Sequence, residues 1–264
     1  MSSRYTELTS QLRSLKLSTM AESFSDIALK AVRTGLSHEA FLHELVRLEC
    51  EAREQRRRAR LLSESGLPRE KHFGTLQLGA FPPLIRQQIE RLRTGAFVQQ
   101  AINVVAVGKP GAGKTHLAIA LGTKMIQLGY SVRFVTAQAF ANAVLAAPGR
   151  SAVERVLRPL IQCDLLILDE LGYLPLEPQL GSTIYELISG RYQKGATVIT
   201  SNKSLATWGE VVAGDTALMM AILDRLLHHG EVFYLRGQSY RLRGKEPLVV
   251  ASSEGVGGDR LPSL

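Results

Sequence analysis

The strongest constraint on the fold of this chain is an eight-residue run, Gly108-Lys109-Pro110-Gly111-Ala112-Gly113-Lys114-Thr115, set between an apolar stretch at 102–107 and a helical stretch at 117–128. It fits the pattern G-x-x-x-x-G-K-[ST]. Glycines let the backbone curl until successive N–H groups point inward at phosphate oxygens, and the helix that follows presents the positive end of its dipole. Read this way, Lys114 neutralises the β and γ phosphates of a nucleotide and the Thr115 hydroxyl ligates Mg²⁺. Contacts to the nucleotide then run from Gly108 through Lys109, Pro110, Gly111, Ala112 and Gly113 to Lys114, Thr115 and His116. A chance glycine-rich turn is the alternative, and the strand before it and the helix after it count against that.

The texture of the chain agrees. Short apolar runs at 102–107, 132–136, 165–168, 197–201 and 232–235 alternate with helical stretches, the signature of a parallel sheet with crossover helices. The expected core is an α/β fold of about five strands with helices on both faces. Before it, 2–65 reads as all helix. Leu8, Leu12 and Leu15 recur at helical spacing, and Thr19 with Glu22 suggests a capping box opening a second helix through Phe24, Ile27 and Leu29. A third helix begins after Ser37, with Phe41, Leu42, Leu45 and Leu48 on one side, and continues into Arg53, Arg56, Arg57, Arg58 and Arg60. Gly66 and Pro68 break the pattern. The expected organisation is a small helical domain at 1–66, a connector at 67–100 with a helix after Pro83, an α/β nucleotide-binding domain at 101–250 and a disordered tail at 251–264, rich in Gly and Ser.

Candidate hydrolysis residues follow from the strands. The run Leu165-Leu166-Ile167-Leu168 suits a strand covered on both faces, and ligands collect at the carboxyl ends of such strands. Asp169 and Glu170 therefore emerge beside the loop, Asp169 to hold Mg²⁺ and Glu170 to activate the attacking water. An acidic helix start stabilised by the helix dipole is the plainer alternative. Beyond 197–201 comes Asn202, either a polar group placing the nucleophilic water or a turn residue.

A net charge of +8 and a pI near 9.7 favour a polyanionic partner. The arginine run at 53–60 is either a phosphate-contacting face or a solvated one, diluted by Glu51 and Glu54. Cys50 and Cys163 suggest neither a disulfide framework nor a zinc site. No apolar run approaches membrane-spanning length and no secretory leader is visible, so a soluble, cytoplasmic protein is expected.

At this point a resemblance becomes specific. The segments 108–118, 165–173 (ending Asp-Glu-Leu-Gly-Tyr), 200–202 (Thr-Ser-Asn), 224–229 (Asp-Arg-Leu-Leu-His-His) and 239–243 (Ser-Tyr-Arg-Leu-Arg) resemble the IstB family of insertion-sequence ATP-binding helper proteins. These are AAA+ ATPases similar to the DnaC helicase loader. The resemblance covers about 8–243. It implies that Lys114 and Thr115 belong to Walker A, Asp169 and Glu170 to Walker B, Asn202 to sensor 1 and Arg225 to an arginine finger. From the residues alone, Arg225 either neutralises charge in a neighbouring subunit or pairs with Asp224.

The resemblance further implies ATP and Mg²⁺ as cofactors and a homo-oligomer, ring or filament, on double-stranded DNA. It implies a partner transposase as well. A DnaC-like replicative helicase loader is the nearest alternative. A nucleotide-gated scaffold without activity fits less well, because Glu170, Asn202 and Arg225 are intact, and a small-molecule kinase lacks an acceptor-site pattern. Two departures stand out. The connector 73–81 lacks the family's usual acidic residues, which leaves the adenine contact undefined, and little chain remains for a helical lid, so Arg241 or Arg243 is the candidate lid arginine. His228 and His229 have no companion ligand cluster and suit a helix end.

Overall fold

A computed structural model describes residues 3–172, 178–210 and 215–235. The tail at 251–264, Arg241 and Arg243 lie outside these. In chain order the elements are α1 (Ser3–Ser14), α2 (Ser18–Thr34), α3 (His38–Ser65), α4 (Pro83–Arg93), α5 (Ala96–Gln99), β1 (Asn103–Gly108), α6 (Lys114–Gln127), β2 (Val132–Thr136), α7 (Ala137–Leu145), α8 (Arg150–Gln162), β3 (Leu165–Asp169), α9 (Pro178–Arg191), β4 (Ala196–Ser201), α10 (Thr216–His228) and β5 (Gly230–Leu235).

Among the described residues the strands form one parallel sheet in the order β2-β3-β4-β1-β5. All five lie where the apolar runs predict. Their ends differ by a residue or two: β1 starts at Asn103 and not Ile102, β4 takes in Ala196, and β3 and β5 take in Asp169 and Gly230 through pairings with Thr136 and Asn103. Successive strand residues alternate between two cores. Val104, Ala106, Leu165, Ile167 and Val198 face α6 and the connector, while Val105, Val107, Leu166, Leu168 and Ile199 face α8, α9 and α10. A sheet covered on both sides needs such unbroken apolar strands. Full burial of each Leu or Ile contributes about 1.5–3 kcal/mol.

The helical region is joined to this core directly. Ser37 caps α3 as expected, accepting from the Ala40 N–H. The capping box at Thr19 and Glu22 does not form. Instead Glu49 of α3, only 3 % exposed, accepts from the Thr19 and Met20 N–H groups at 2.8 and 3.1 Å and so caps α2 from the neighbouring helix. A carboxylate from another helix serves the orphan donors as well as a local side chain. The last turns of α3 then pack on the core through Leu61 and Leu62, while Arg57 donates to the Gly129 carbonyl and Arg133 pairs with Glu64. The connector is part of the core too, with Leu67, Leu76 and Phe81 buried.

Burial opposes ionisation of Glu49, but hydrogen bonds from Met20, Arg53 and Thr19 outweigh it and hold the carboxyl below its ordinary value. A depressed native pKa gives stability that is full above the unfolded value and lost as pH falls through the native one. Glu49→Ala is expected to cost about 1–3 kcal/mol at neutral pH, and the gap to wild type should close as the pH is lowered through the carboxylate range. Denaturant unfolding at a series of pH values checks this; a gap that does not depend on pH would refute the ionic cap.

Candidate functional site

The phosphate-binding loop is shaped by where glycine is required. Gly108 ends β1 beside β5, where a Cβ would collide with the Leu235 carbonyl. Gly111 and Gly113 have φ of 81° and 88°, the left-handed region that side chains disfavour. Gly113 also sits against the ring of Phe81 from the connector, 3.3 Å from where a Cβ would lie. Helix α6 begins at Lys114, so its N-terminal end opens onto the loop. Lys114 is 9 % exposed, and its ammonium donates to the carbonyls of Gly108 and Lys109 at 2.7 and 3.0 Å. The cation is thus held inside the loop's own curl.

The sheet order brings the acids to this loop. β4 lies between β1 and β3, so the carboxyl ends of all three strands converge. Asp169, 3 % exposed, accepts from Thr115 Oγ1 at 2.9 Å and from Thr200 Oγ1 at 2.5 Å. Thr200 in turn accepts from the Glu170 N–H at 2.9 Å. This threonine is fully buried and ties both acids to β4. Glu170 has φ of 62°, a conformation that costs a non-glycine residue about 1–3 kcal/mol. Leu171 N–H bonds to the Thr200 carbonyl, and Ser201 Oγ donates to the Leu171 carbonyl, which holds the strained turn in place. The Glu170 side chain is exposed at the mouth of the site. Hard oxygen donors on Thr115 and Asp169, already 2.9 Å apart, suit Mg²⁺.

Other candidates sort by position. Asn202 is exposed immediately after β4, beside the same strand ends. The His116 ring is engaged by the connector: Nε2 lies 3.1 Å from Thr75 Oγ1 and 3.4 Å from the His72 carbonyl. Burial pushes its pKa below the usual imidazole range. The connector thus holds the ring, while the His116 backbone lies in the first turn of α6. Lys109 and Pro110 are exposed on the loop, and Ala112 closes its turn by donating to the Lys109 carbonyl.

Arg225 stands apart. It lies one turn before His229, whose carbonyl accepts from Asn103 N–H at the opposite end of β1 from the loop. The intervening strand spans roughly 17 Å at 3.3 Å per residue. Arg225 does not pair with Asp224; its guanidinium stacks on the Tyr185 ring, 4.6 Å from the centroid, and donates to the Ala221 carbonyl. His228 and His229 close the end of α10 against Tyr192 and Gln193. Thr200 and Phe81 are the site residues that motif reading passes over. Thr200 carried little signal of its own, because β4 holds three hydroxyl residues, Thr197, Thr200 and Ser201.

A parallel sheet with a phosphate loop after β1, an acid pair after β3 and a polar strand end between them is the P-loop NTPase fold of AAA+ type. The family model for the IstB-like ATP binding protein matches residues 10–247, and the chain belongs to that family. An ATP-binding protein of insertion sequence IS5376 from Geobacillus stearothermophilus is 39 % identical over 231 residues, 88 % of this chain and 92 % of that one. The corresponding protein of insertion sequence IS21 from Pseudomonas aeruginosa is 36 % identical, covering 90 % of each. Among solved structures, DnaI shares the fold at TM-score 0.56 and 18 % identity, over 68 % of this chain and 98 % of its own. The replication initiator DnaA, bound to AMPPCP and single-stranded DNA, does so at TM-score 0.55 and 18 % identity, over 65 % of this chain and 51 % of its own. Among the described residues no helix is long and apolar enough to cross a membrane.

Proposed function

We propose that this protein hydrolyses ATP to ADP and phosphate as an oligomer on duplex DNA, and that the assembly recruits or stimulates a transposase in the cytoplasm. The observation that carries the reading is the hydrogen-bonded chain Thr115–Asp169–Thr200–Glu170 at the foot of the loop. In it Lys114 exchanges its loop carbonyls for the β and γ phosphates. Thr115 and Asp169 would hold Mg²⁺, which supplies neutralising charge when bound. Glu170, kept at the mouth of the site by the turn around Leu171, accepts a proton from the attacking water, and Asn202 orients that water. Arg225 sits in the last turn of α10, which meets the opposite end of β1 from the loop, so its charge serves the neighbouring subunit's γ phosphate. Nucleotide between subunits then favours assembly, and hydrolysis releases it.

The transposase assignment is drawn from the relatives, which are named for insertion sequences. A helicase loader with the same core would instead co-purify with a replicative helicase. Sedimentation of the protein with ATP, Mg²⁺ and duplex DNA tests the assembly: a multi-subunit complex is expected with ATP and not with ADP. DNA occupancy by monomers that ignores the nucleotide would contradict it.

A further inference from the structure

The arginine run on α3 is the obvious candidate for holding phosphates, yet the fold uses much of it internally. Arg53 and Arg56 both bind Glu49, Arg58 pairs with Glu54, and Arg57 donates to the Gly129 carbonyl. Unused positive charge collects elsewhere. Between the end of α3, the connector, the end of α4 and the outer side of α6 lies a cavity of about 360 Å³, lined by Arg69, His72, Phe73, Arg93 and Lys124 among others. Among the described residues neither Arg69 nor Lys124 has a carboxylate within salt-bridge distance. Arg93 pairs with Glu90 of its own helix, but its guanidinium carbon also lies over the Phe73 ring, 4.6 Å from the centroid.

We propose that this cavity is a second phosphate-binding site, separate from the nucleotide loop. Residues as distant in sequence as 69, 93 and 124 bring like charges to one partly enclosed, half-apolar hollow, an arrangement that focuses positive potential and is relieved by an anion. His72 adds a donor. Its Nδ1 accepts from the Gly74 N–H, so the neutral ring carries its proton on Nε2. The volume suits a group of nucleotide size. Along α6 the lining begins at Ala120 and ends at Gln127, roughly 9 to 20 Å from Lys114 at 1.5 Å per residue. The two sites nevertheless share a wall, because the connector turn from His72 to Thr75 that roofs the cavity also grips His116, next to Thr115. Ligands at the two places should therefore influence each other, equally in both directions.

The phosphate belongs either to a nucleic-acid backbone or to a free phosphate compound, and two arms of one experiment separate these. Arg69→Glu/Lys124→Glu is compared with Arg58→Glu/Arg60→Glu, which changes the charge equally at α3 residues that do not line the cavity. Arg69→Gln/Lys124→Gln serves as the milder pair if the charge reversal perturbs folding by circular dichroism.

In the first arm, anisotropy with a mixed-sequence duplex is followed across a salt series. A backbone-phosphate site predicts that the cavity variant loses about tenfold or more in affinity and lowers the log–log salt slope by about 1–2, at about 0.9 per phosphate. The α3 variant should change little. In the second arm, pyrophosphate is titrated calorimetrically into Lys114→Ala protein, whose loop is disabled. A free-phosphate site predicts uptake that the cavity pair abolishes, whether or not the protein binds DNA. Cavity and α3 variants that match in both arms would overturn the proposal.

Discussion

Glu170→Gln is expected to slow ATP turnover by about 10²–10⁴-fold, the usual contribution of a positioned general base, while ATP affinity stays close to wild type. The amide keeps the size of the side chain and cannot take a proton from water. The hydrogen bond that anchors this residue comes from its backbone N–H to Thr200, not from its carboxylate. The strained turn, Asp169 and the loop are therefore left as they are. Single-turnover phosphate release alongside equilibrium ATP binding separates the two effects. Unchanged turnover would remove Glu170 from the chemistry, and lost binding would mean that the carboxylate supports the loop instead.

The second large effect belongs to Arg225. Arg225→Ala should lower DNA-stimulated turnover by about 10³-fold or more, the scale of an arginine supplied in trans. Because Arg225 sits in the last turn of α10, which meets the opposite end of β1 from its own loop, the defect should be complemented between chains. Mixing Arg225→Ala with Glu170→Gln pairs the intact Glu170 of one chain with the intact Arg225 of the other. Random assortment makes about a quarter of the interfaces complete. Two variants that are each nearly inactive should then recover activity together, in a concentration-dependent way. A mixture as inactive as its parts would show that Arg225 acts within its own chain, through Tyr185 and the end of α10.

The contrast between these two residues shows what a sequence can and cannot disclose. The position of Glu170 was legible because an unbroken apolar strand must be buried and must end somewhere, and the acids follow directly on that end. The five strands were legible on the same ground. Thr200 was not singled out, since its meaning depends on β4 inserting between β1 and β3, and strand order is not written in local periodicity. The cap on α2 was misread for a related reason. Thr19 and Glu22 have the right spacing, but Glu49, thirty residues from Thr19, reaches the same N–H groups once α2 and α3 pack together. The arginine run looked like free charge because its partners, such as Glu49 and the Gly129 carbonyl, are supplied by that packing. Arg225 could be read from the sequence either as a finger or as an ion pair with Asp224; the fold sets Tyr185 beneath its guanidinium instead of that pair.

All of this depends on whether the curled loop takes up a triphosphate through Lys114. Calorimetric titration of Mg²⁺-ATP into the wild-type protein and into Lys114→Ala measures that directly. Saturable uptake of one nucleotide per chain by wild type, lost in the variant with its fold intact by circular dichroism, is the predicted result. Equal uptake by both proteins, or none by either, would contradict the assignment of the site.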